Sequence, residues 1–236
     1  MAGVKTSLIL PAAGMGTRMG YHVPKPFIPL SGQPAVYHAL NAFAGLSWIT
    51  EVIIPTREDM IAKIREECNT IDWESDVDIQ VIEGGRERVD SVAIALEYLN
   101  KDVEIVAVHD AVRPLIQTAD IANCIQKAEE TGAAVLAVPC RDTLKKSKPA
   151  GSEFLISDTL DRSGVWQAQT PQCFFTDLIL QAYNSRNNAD KKATDDAELV
   201  EQIHPVSLVE GSGYNIKLTY PEDVVVAEYI LNNRSG

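Results

Sequence analysis

The stretch LILPAAGMGTRMG, residues 8–20, decides the fold of this chain. An apolar run typical of a buried strand passes into a glycine-containing turn, and Arg18 and Lys25 follow closely. A turn of this kind leaves backbone N–H groups exposed, and with two cations nearby it is suited to hold a polyphosphate. We infer that the rest of the chain brings a second anionic substrate to this loop.

The loop does not follow the two common phosphate-binding patterns. The G-K-[ST] ending of a Walker A loop is missing, and G-x-G-x-x-G would need a glycine where Met19 stands. On glycine spacing alone, a tight strand-to-helix turn is therefore an equal alternative. Pro24 and Pro26 flank Lys25 and restrict the backbone there, so this lysine loses less conformational entropy on binding a phosphate.

Beyond the loop, short apolar runs alternate with segments of helical periodicity. The runs predict strands at 7–10, 51–55, 78–82, 104–108 and 133–138. The periodic segments predict helices at 35–46, 57–68, 87–99 and 120–131. This alternation predicts an α/β fold with a doubly wound, mostly parallel sheet, in which ligands bind beyond the carboxyl ends of the strands.

The alternation breaks at residues 140–164, which are rich in Lys, Ser, Pro and Gly. We expect a hairpin-like excursion that pairs 143–146 with 154–157, and both a solvated insertion and a functional arm remain open. Later segments predict helices at 176–187 and 221–232 and strands at 206–209 and 215–218. Because neither a repeat nor a linker is visible, residues 1–236 are expected to form a single domain.

The composition limits the kinds of partner that we expect for this protein. The 236 residues carry a net charge of −12, which argues against non-specific binding of nucleic acid or a membrane surface. The apolar runs fall short of the roughly 20 residues that cross a membrane, and the N-terminus leads directly into the first strand. Four dispersed cysteines without a C-x-x-C pair indicate reduced thiols, and we expect a cytoplasmic protein.

Two further motifs follow predicted strands and so belong to the same sheet edge. In GGRERVDSV, residues 84–92, Gly85 lets a flat base approach the backbone and Ser91 offers a hydrogen bond, although a capped turn is the simpler explanation. In VHDAVRP, residues 108–114, Asp110 and Arg113 stand at the end of the fourth strand. We favour a site role for this pair over a purely structural ion pair, because α/β sites are built at that edge.

A late group of polar residues completes the candidates: Arg162, Thr170, the TDD of 194–196, and Lys217. Lys217 interrupts the apolar run NIKLTY, and a buried lysine is costly unless it meets an anion, so it is expected to face a ligand or a carboxylate. The histidines show no spacing typical of a zinc site, and no nucleophile elbow is present. We therefore assign no metal site to protein side chains.

Together these motifs resemble those of the 2-C-methyl-D-erythritol 4-phosphate cytidylyltransferase family. The resemblance covers nearly the whole chain and is carried by PAAGMGTRMG, PKPF, GGRERVDSV, VHDAVRP, RDTLKK, WQAQTPQ, TDDAELVE and EGSGYNIKLTYPED. The first motif is shared by many sugar-nucleotide pyrophosphorylases, whereas the last two are more specific. Two positions depart from the family pattern: Pro26 replaces a usual Gln, and Arg86 stands where an acidic residue often follows the glycine pair.

The resemblance implies a reaction and a site. CMP would pass from CTP to methylerythritol 4-phosphate, with Mg²⁺ held mainly by the CTP phosphates. The implied catalytic residues are Arg18, Lys25 and Lys217. The implied nucleotide site comprises Ala12, Ala13, Gly14, Gly85, Ser91 and Asp110. The implied acceptor site comprises Asp110, Arg113, Thr170 and Thr194, with Thr143 and Arg162 supplied by the other subunit of a homodimer through an exchanged arm at 139–163.

Two alternatives stay open at this point. A ribitol 5-phosphate cytidylyltransferase would share the loop and the CTP but take a different acceptor. A nucleotide-binding regulator without turnover would share the fold, although the joint presence of Arg18, Lys25 and Lys217 argues against it.

Overall fold

The computed structural model describes residues 4–14, 23–186 and 193–234. A seven-stranded sheet forms its centre, with the strand order β11-β7-β10-β6-β1-β4-β5. Its strands are β1 (Thr6–Ile9), β4 (Ile49–Thr56), β5 (Asp78–Glu83), β6 (Ile105–Val108), β7 (Ala133–Pro139), β10 (Trp166–Phe175) and β11 (Ser207–Glu210). Two short pairs complete the set: β2 (Pro29–Leu30) with β3 (Gln33–Pro34), and β8 (Lys145–Ala150) with β9 (Glu153–Thr159).

All strands of the central sheet run parallel except β10, which pairs antiparallel with both β6 and β7. The predicted doubly wound, mostly parallel sheet is therefore confirmed. Because β10 runs in reverse, its first residues lie at the same edge as the carboxyl ends of its neighbours. That edge collects the segments that follow β1, β4, β5 and β6.

Helices cover both faces of the sheet. They are α1 (Ala35–Ala44), α2 (Ile61–Cys68), α3 (Arg88–Leu96), α4 (Thr118–Thr131), α5 (Thr176–Ser185), α6 (Ala197–Val200) and α7 (Pro221–Asn233). Side chains alternate along β1: Leu8 packs into one core cluster and Ile9 into the cluster on the opposite face. Gly132 ends α4 with a φ of 86°, a conformation that favours glycine.

The run at 215–218 is not a strand, so that prediction is wrong. Its backbone is tied to the neighbouring loop at two points: Leu218 N donates to Val112 O at 2.9 Å, and Asn215 O accepts from Arg113 Nη1 at 2.7 Å. Asn215 is fully buried, and its side-chain amide donates to Gln169 Oε1 and to Thr170 O. Side-chain hydrogen bonds rather than a strand ladder thus hold this segment against the sheet edge.

The predicted excursion is a two-stranded antiparallel hairpin made of β8 and β9. The predicted partners are wrong, because the pairing runs from Lys145 opposite Thr159 to Ala150 opposite Glu153 and places 154–156 against 147–149 rather than against 143–146. Every residue of both strands is exposed, including Phe154 at 78% and Ile156 at 65%. The hairpin therefore projects from the sheet without joining its core.

A search of the described residues for a helix long and apolar enough to cross a membrane found none. The four cysteines are buried and unpaired.

Candidate active site

Backbone contacts fix the segment that follows β1. Ala12 N donates to Pro55 O at 2.9 Å, and the Thr56 hydroxyl donates to Ala12 O at 3.2 Å. Gly14 O then accepts a hydrogen bond from Lys25 N at 3.2 Å. Both ends of the glycine-containing loop are thereby held at the carboxyl edge of the sheet.

Close packing after β5 explains the glycine pair. Gly85 N donates to the Ser91 hydroxyl oxygen at 3.1 Å. A Cβ atom added to Gly85 would lie 2.4 Å from the Cβ of Asp90, a distance that real side chains do not adopt. Only glycine lets the loop pass this close to α3. On its other side, Gly85 lines a cavity.

A cavity of about 370 Å³ opens at this edge. Its volume falls in the range of small-molecule sites, roughly 300–1,000 Å³. The predicted site residues that line it are Ala12, Ala13, Gly14, Lys25, Gly85, Ser91, Asp110 and Lys217. The remaining lining residues in the described part of the chain are Pro11, Pro26, Arg86, Glu87, Arg88 and Val112. Segments distant in sequence therefore meet at one basic cavity.

Asp110 is the electrostatic centre of the cavity wall. Its Oδ1 accepts from Arg88 Nε at 2.8 Å, and its Oδ2 lies 2.8 Å from Lys217 Nζ and 3.6 Å from Arg113 Nε. Burial alone would raise the pKa of Asp110, but these three positive charges outweigh it and hold the pKa well below its usual range. The carboxylate stays ionised, and the prediction that Lys217 faces a carboxylate or a ligand is confirmed.

Lys25 and Lys217 bring two ammonium groups to the cavity. Lys25 is 9% exposed, and its Nζ donates to Leu218 O at 3.0 Å. The Lys217 side chain is 43% exposed, so its ammonium group is open to the cavity while it contacts Asp110. Since Leu218 is the residue after Lys217, one segment positions both lysines.

Several predicted residues lie outside this cavity lining. Arg113 is behind Asp110, where its Nη1 donates to Asn215 O at 2.7 Å. The Thr170 hydroxyl is buried and accepts a hydrogen bond from Asp110 N at 3.1 Å. Thr194 is exposed and contacts Glu198.

Thr143 and Arg162 belong to the hairpin region, and Arg162 lines a separate open depression with Arg141 and Trp166. Arg18 lies outside the described residues.

Sequence reasoning missed Arg88, which reaches the cavity from the first turn of α3. Arg88 Nη2 also donates to Asp196 Oδ2 at 2.8 Å. The signal available was a basic residue at the start of a helix beside the glycine pair. Its aspartate partners are 22 and 108 residues away along the chain, so no local pattern revealed the contact.

His109 is a structural residue beneath the cavity. Its ring nitrogens contact the Thr170 hydroxyl at 3.0 Å and Arg113 O at 3.2 Å, and its ring packs against Phe43. Complete burial lowers the pKa of His109 to about 4, so the ring is neutral near pH 7.

A basic, glycine-bordered cavity at the carboxyl edge of a doubly wound sheet defines the class of α/β proteins that bind phosphorylated ligands. The model of the 2-C-methyl-D-erythritol 4-phosphate cytidylyltransferase family matches residues 6–233. The chain belongs to this family.

Individual relatives agree with the family match. The cytidylyltransferase of that name from Rhodopirellula baltica is 41% identical, over 96% of this chain and 94% of its own length. The one from Alkaliphilus oremlandii is 40% identical, over 98% and 96%. Among solved structures, 4-diphosphocytidyl-2C-methyl-D-erythritol synthase from Anaerococcus prevotii superposes with a TM-score of 0.83 at 27% identity, covering 98% of this chain and 100% of its own. The Thermus thermophilus cytidylyltransferase gives a TM-score of 0.75 at 31% identity, with coverage of 96% and 98%.

Proposed function

We propose that this protein transfers CMP from CTP to 2-C-methyl-D-erythritol 4-phosphate. The products are 4-diphosphocytidyl-2-C-methyl-D-erythritol and pyrophosphate, on the route to isoprenoid precursors. The observation that carries the proposal is the meeting of the family's motifs at one cavity. The segments that begin at Pro11, Gly84 and Val108 come together there with Lys25 and Lys217.

The chemistry fits the residues that line the cavity. The acceptor is a phosphate monoester, whose second pKa is about 6, so it is largely dianionic at neutral pH and needs no general base. Its phosphate oxygen attacks the α-phosphorus of CTP, and the bond to the pyrophosphate leaving group breaks. Because one anion attacks another, catalysis depends on positioning and on positive charge.

Lys25 and Lys217 supply that charge in the described part of the cavity, and we assign Arg18 the same role. The ammonium groups neutralise the phosphates of both substrates and stabilise the negative charge that develops around the α-phosphorus. Asp110 keeps Lys217 in place through their 2.8 Å ion pair. We also assign Asp110 to the nucleotide ribose and to the acceptor, because its carboxylate stands between the loop and the sheet edge.

We assign the nucleotide to the side of the cavity bordered by Ala12, Ala13, Gly14, Gly85 and Ser91. Small residues there leave the backbone accessible to a flat base and a triphosphate. Arg86, which replaces the usual acidic residue, is exposed at the same rim.

The donor set fits a Mg²⁺ ion held mainly by the triphosphate. In the described residues no group of three acidic, histidine or cysteine side chains is arranged to hold a metal. Asp110 lines the cavity with its Oδ2 2.8 Å from Lys217 Nζ, and its carboxylate could add one oxygen ligand to an ion that arrives with CTP. When bound, Mg²⁺ would withdraw charge from the phosphates of CTP.

We further propose that residues 1–236 form one nucleotidyltransferase domain that dimerises through the arm at 139–163. The hairpin exposes the apolar side chains of Phe154, Leu155 and Ile156. Their contact with water is unfavourable, and a second chain that covered them would remove it. Thr143 and Arg162 do not line their own chain's cavity, which supports their use in the partner's acceptor pocket. Arg113, Thr170 and Thr194 would then hold the acceptor from the same chain as the lysines. A cytoplasmic location agrees with four unpaired cysteines.

An acceptor comparison tests the proposed reaction. Purified protein with CTP and Mg²⁺ is given methylerythritol 4-phosphate or ribitol 5-phosphate, and pyrophosphate release is measured. We expect release with the first acceptor and little with the second. The reverse preference would identify a ribitol 5-phosphate enzyme. CTP binding without release on either acceptor would favour a non-catalytic regulator.

A further inference from the structure

A chain of polar contacts runs from the core to the cavity. The Tyr183 hydroxyl donates to Asp196 Oδ1 at 2.5 Å, and Arg88 Nη2 donates to Asp196 Oδ2 at 2.8 Å. The same guanidinium donates through Nε to Asp110 Oδ1 at 2.8 Å. Asp110 Oδ2 then contacts Lys217. Arg88 therefore joins a carboxylate in the cavity wall to one behind it.

The core fixes the end of these contacts that lies away from the cavity. The Asp196 side chain is 0% exposed, and Tyr183 is 7% exposed. Backbone N–H groups of Asp196 and Ala197 both donate to Gln172 Oε1, at 3.1 and 2.9 Å. Neither Asp196 nor Tyr183 lines the cavity. Their contacts thus set the position of Arg88 without approaching a substrate.

We propose that Asp196, supported by Tyr183, is a positioning residue that acts through Arg88 on Asp110 and Lys217. This inference rests on the proposed transferase function. Arg88 spans two carboxylates because a guanidinium offers several donors in a fixed plane, which a lysine cannot reproduce. Without the Asp196 carboxylate, Arg88 keeps one anionic partner, Asp110, and its guanidinium is held less firmly. Asp110 can then shift, and with it the Lys217 ammonium group that it holds at the cavity.

The ion pair between Arg88 and Asp110 also sets the net charge that the substrates meet. Asp110 is an anion in a site that must accept two phosphorylated substrates, so its charge has to be neutralised without withdrawing Lys217. Arg88 does this on Oδ1, the oxygen that Lys217 does not use. A purely structural ion pair would lower stability when broken but would leave the turnover of the folded enzyme unchanged.

A double-mutant cycle distinguishes the two roles, with full-length protein, Mg²⁺, CTP and methylerythritol 4-phosphate. The variants are D196N, R88M, R88K and D196N/R88M, with D90N as the matched control. Asp90 lies on the same helix as Arg88 and pairs with Arg186, outside the cavity. Melting temperature and kcat and KM for each substrate are measured for every variant. Y183F, which removes one hydroxyl, serves if D196N does not fold.

We expect D196N to lower kcat by about 10- to 100-fold, by analogy with the removal of residues that orient metal ligands through hydrogen bonds. The KM for CTP should change by less than about 3-fold, because D196N leaves the loop residues Ala12, Ala13 and Gly14 and the residues Gly85 and Ser91 unchanged. In the R88M background, D196N should have no further effect, since coupled residues are not additive. Y183F should lower kcat by about 2- to 5-fold, R88K should restore only part of the R88M loss, and D90N should match wild type.

Two results would overturn the inference while leaving the transferase function intact. One is a loss of kcat in D196N/R88M that equals the product of the losses in D196N and R88M. The other is wild-type kcat in folded D196N or, if that variant does not fold, in Y183F, even where the melting temperature falls. Failure of the proposed function is a separate outcome, because wild-type protein would then release no pyrophosphate with this acceptor, and the positioning role would fall with it.

Discussion

The cavity and the hairpin arm are opposite in construction. Around the cavity, charged groups are partnered within the chain: Asp110 has three cations, and Lys25 reaches a backbone carbonyl. In the arm every strand residue is exposed, and Phe154 keeps 78% of its surface in water. The charged groups of the cavity find partners within their own chain, whereas the arm has an apolar surface that its own chain leaves uncovered.

This difference explains how one chain can serve two functions at separate places. A site that must stabilise charge needs fixed dipoles and cations, which the packed sheet edge supplies here. A surface that recruits a second chain must stay uncovered until that chain arrives. Changes in one region should therefore be separable from changes in the other, unless both regions contribute to one site.

The largest effect is expected in the cavity. K25A removes an ammonium group from the phosphate side, and turnover should fall by about 100- to 1,000-fold, by analogy with the loss of a transition-state hydrogen-bond donor. Steady-state pyrophosphate release measures this loss. K127A, which removes an exposed lysine on α4 paired with Glu130, should keep wild-type turnover. Equal losses in both variants would mean that Lys25 acts through overall charge.

In the arm, the double change F154S/I156S should give a monomer. Turnover at nanomolar protein should fall by roughly 100-fold, because the acceptor pocket would lose its groups from the partner. Light scattering and activity are measured on the same sample. V225S/Y229S provides the control, since these α7 residues are 69% and 70% exposed on another surface. A fully active monomer would separate the arm from the site.

The buried cavity floor also predicts a pH effect that a solvated arm cannot show. The pKa of His109 is about 4 in the folded protein and 6.5 when solvated. Between these values the unfolded chain binds more protons, so the free energy of unfolding should decrease as pH falls from 6.5 to 4. The contribution of His109 is about 3 kcal/mol. Urea unfolding of wild type and H109Q at several pH values measures it as the difference in slope. Parallel curves would contradict the assignment.

The smallest effect separates the acceptor side from the nucleotide side. T194A removes a hydroxyl near the sheet edge, and the KM for the acceptor should rise about 5-fold, the equivalent of one hydrogen bond. The KM for CTP should stay constant. T70A removes an exposed hydroxyl from the end of α2 and should change neither constant. A rise in the KM for CTP alone would move Thr194 to the nucleotide side.

Sequence patterns predicted the sheet, because apolar runs that alternate with helical periodicity leave few other arrangements. Charged residues and glycines that follow strands pointed to Lys25, Gly85, Asp110 and Lys217 at one edge, and the family resemblance added Ala12, Ala13 and Gly14 to the lining. Sequence patterns failed for 215–218, where an apolar run typical of a strand is held by the buried Asn215 amide. They also missed the pairing of Arg88 with Asp196, because a contact across 108 residues is set by the packing of α3 beside the segment before α6.

The central claim is that two chains build each site, and a heterodimer tests it most directly. K25A and R162A are co-expressed with different tags, and the mixed dimer is isolated by tandem purification. If the arm crosses to the partner, one of its two sites carries both changes and the other is intact. The mixed dimer should then show about half the wild-type activity, although each parent dimer is inactive. A mixed dimer as inactive as its parents would show that Lys25 and Arg162 serve the same chain's site, contrary to the account.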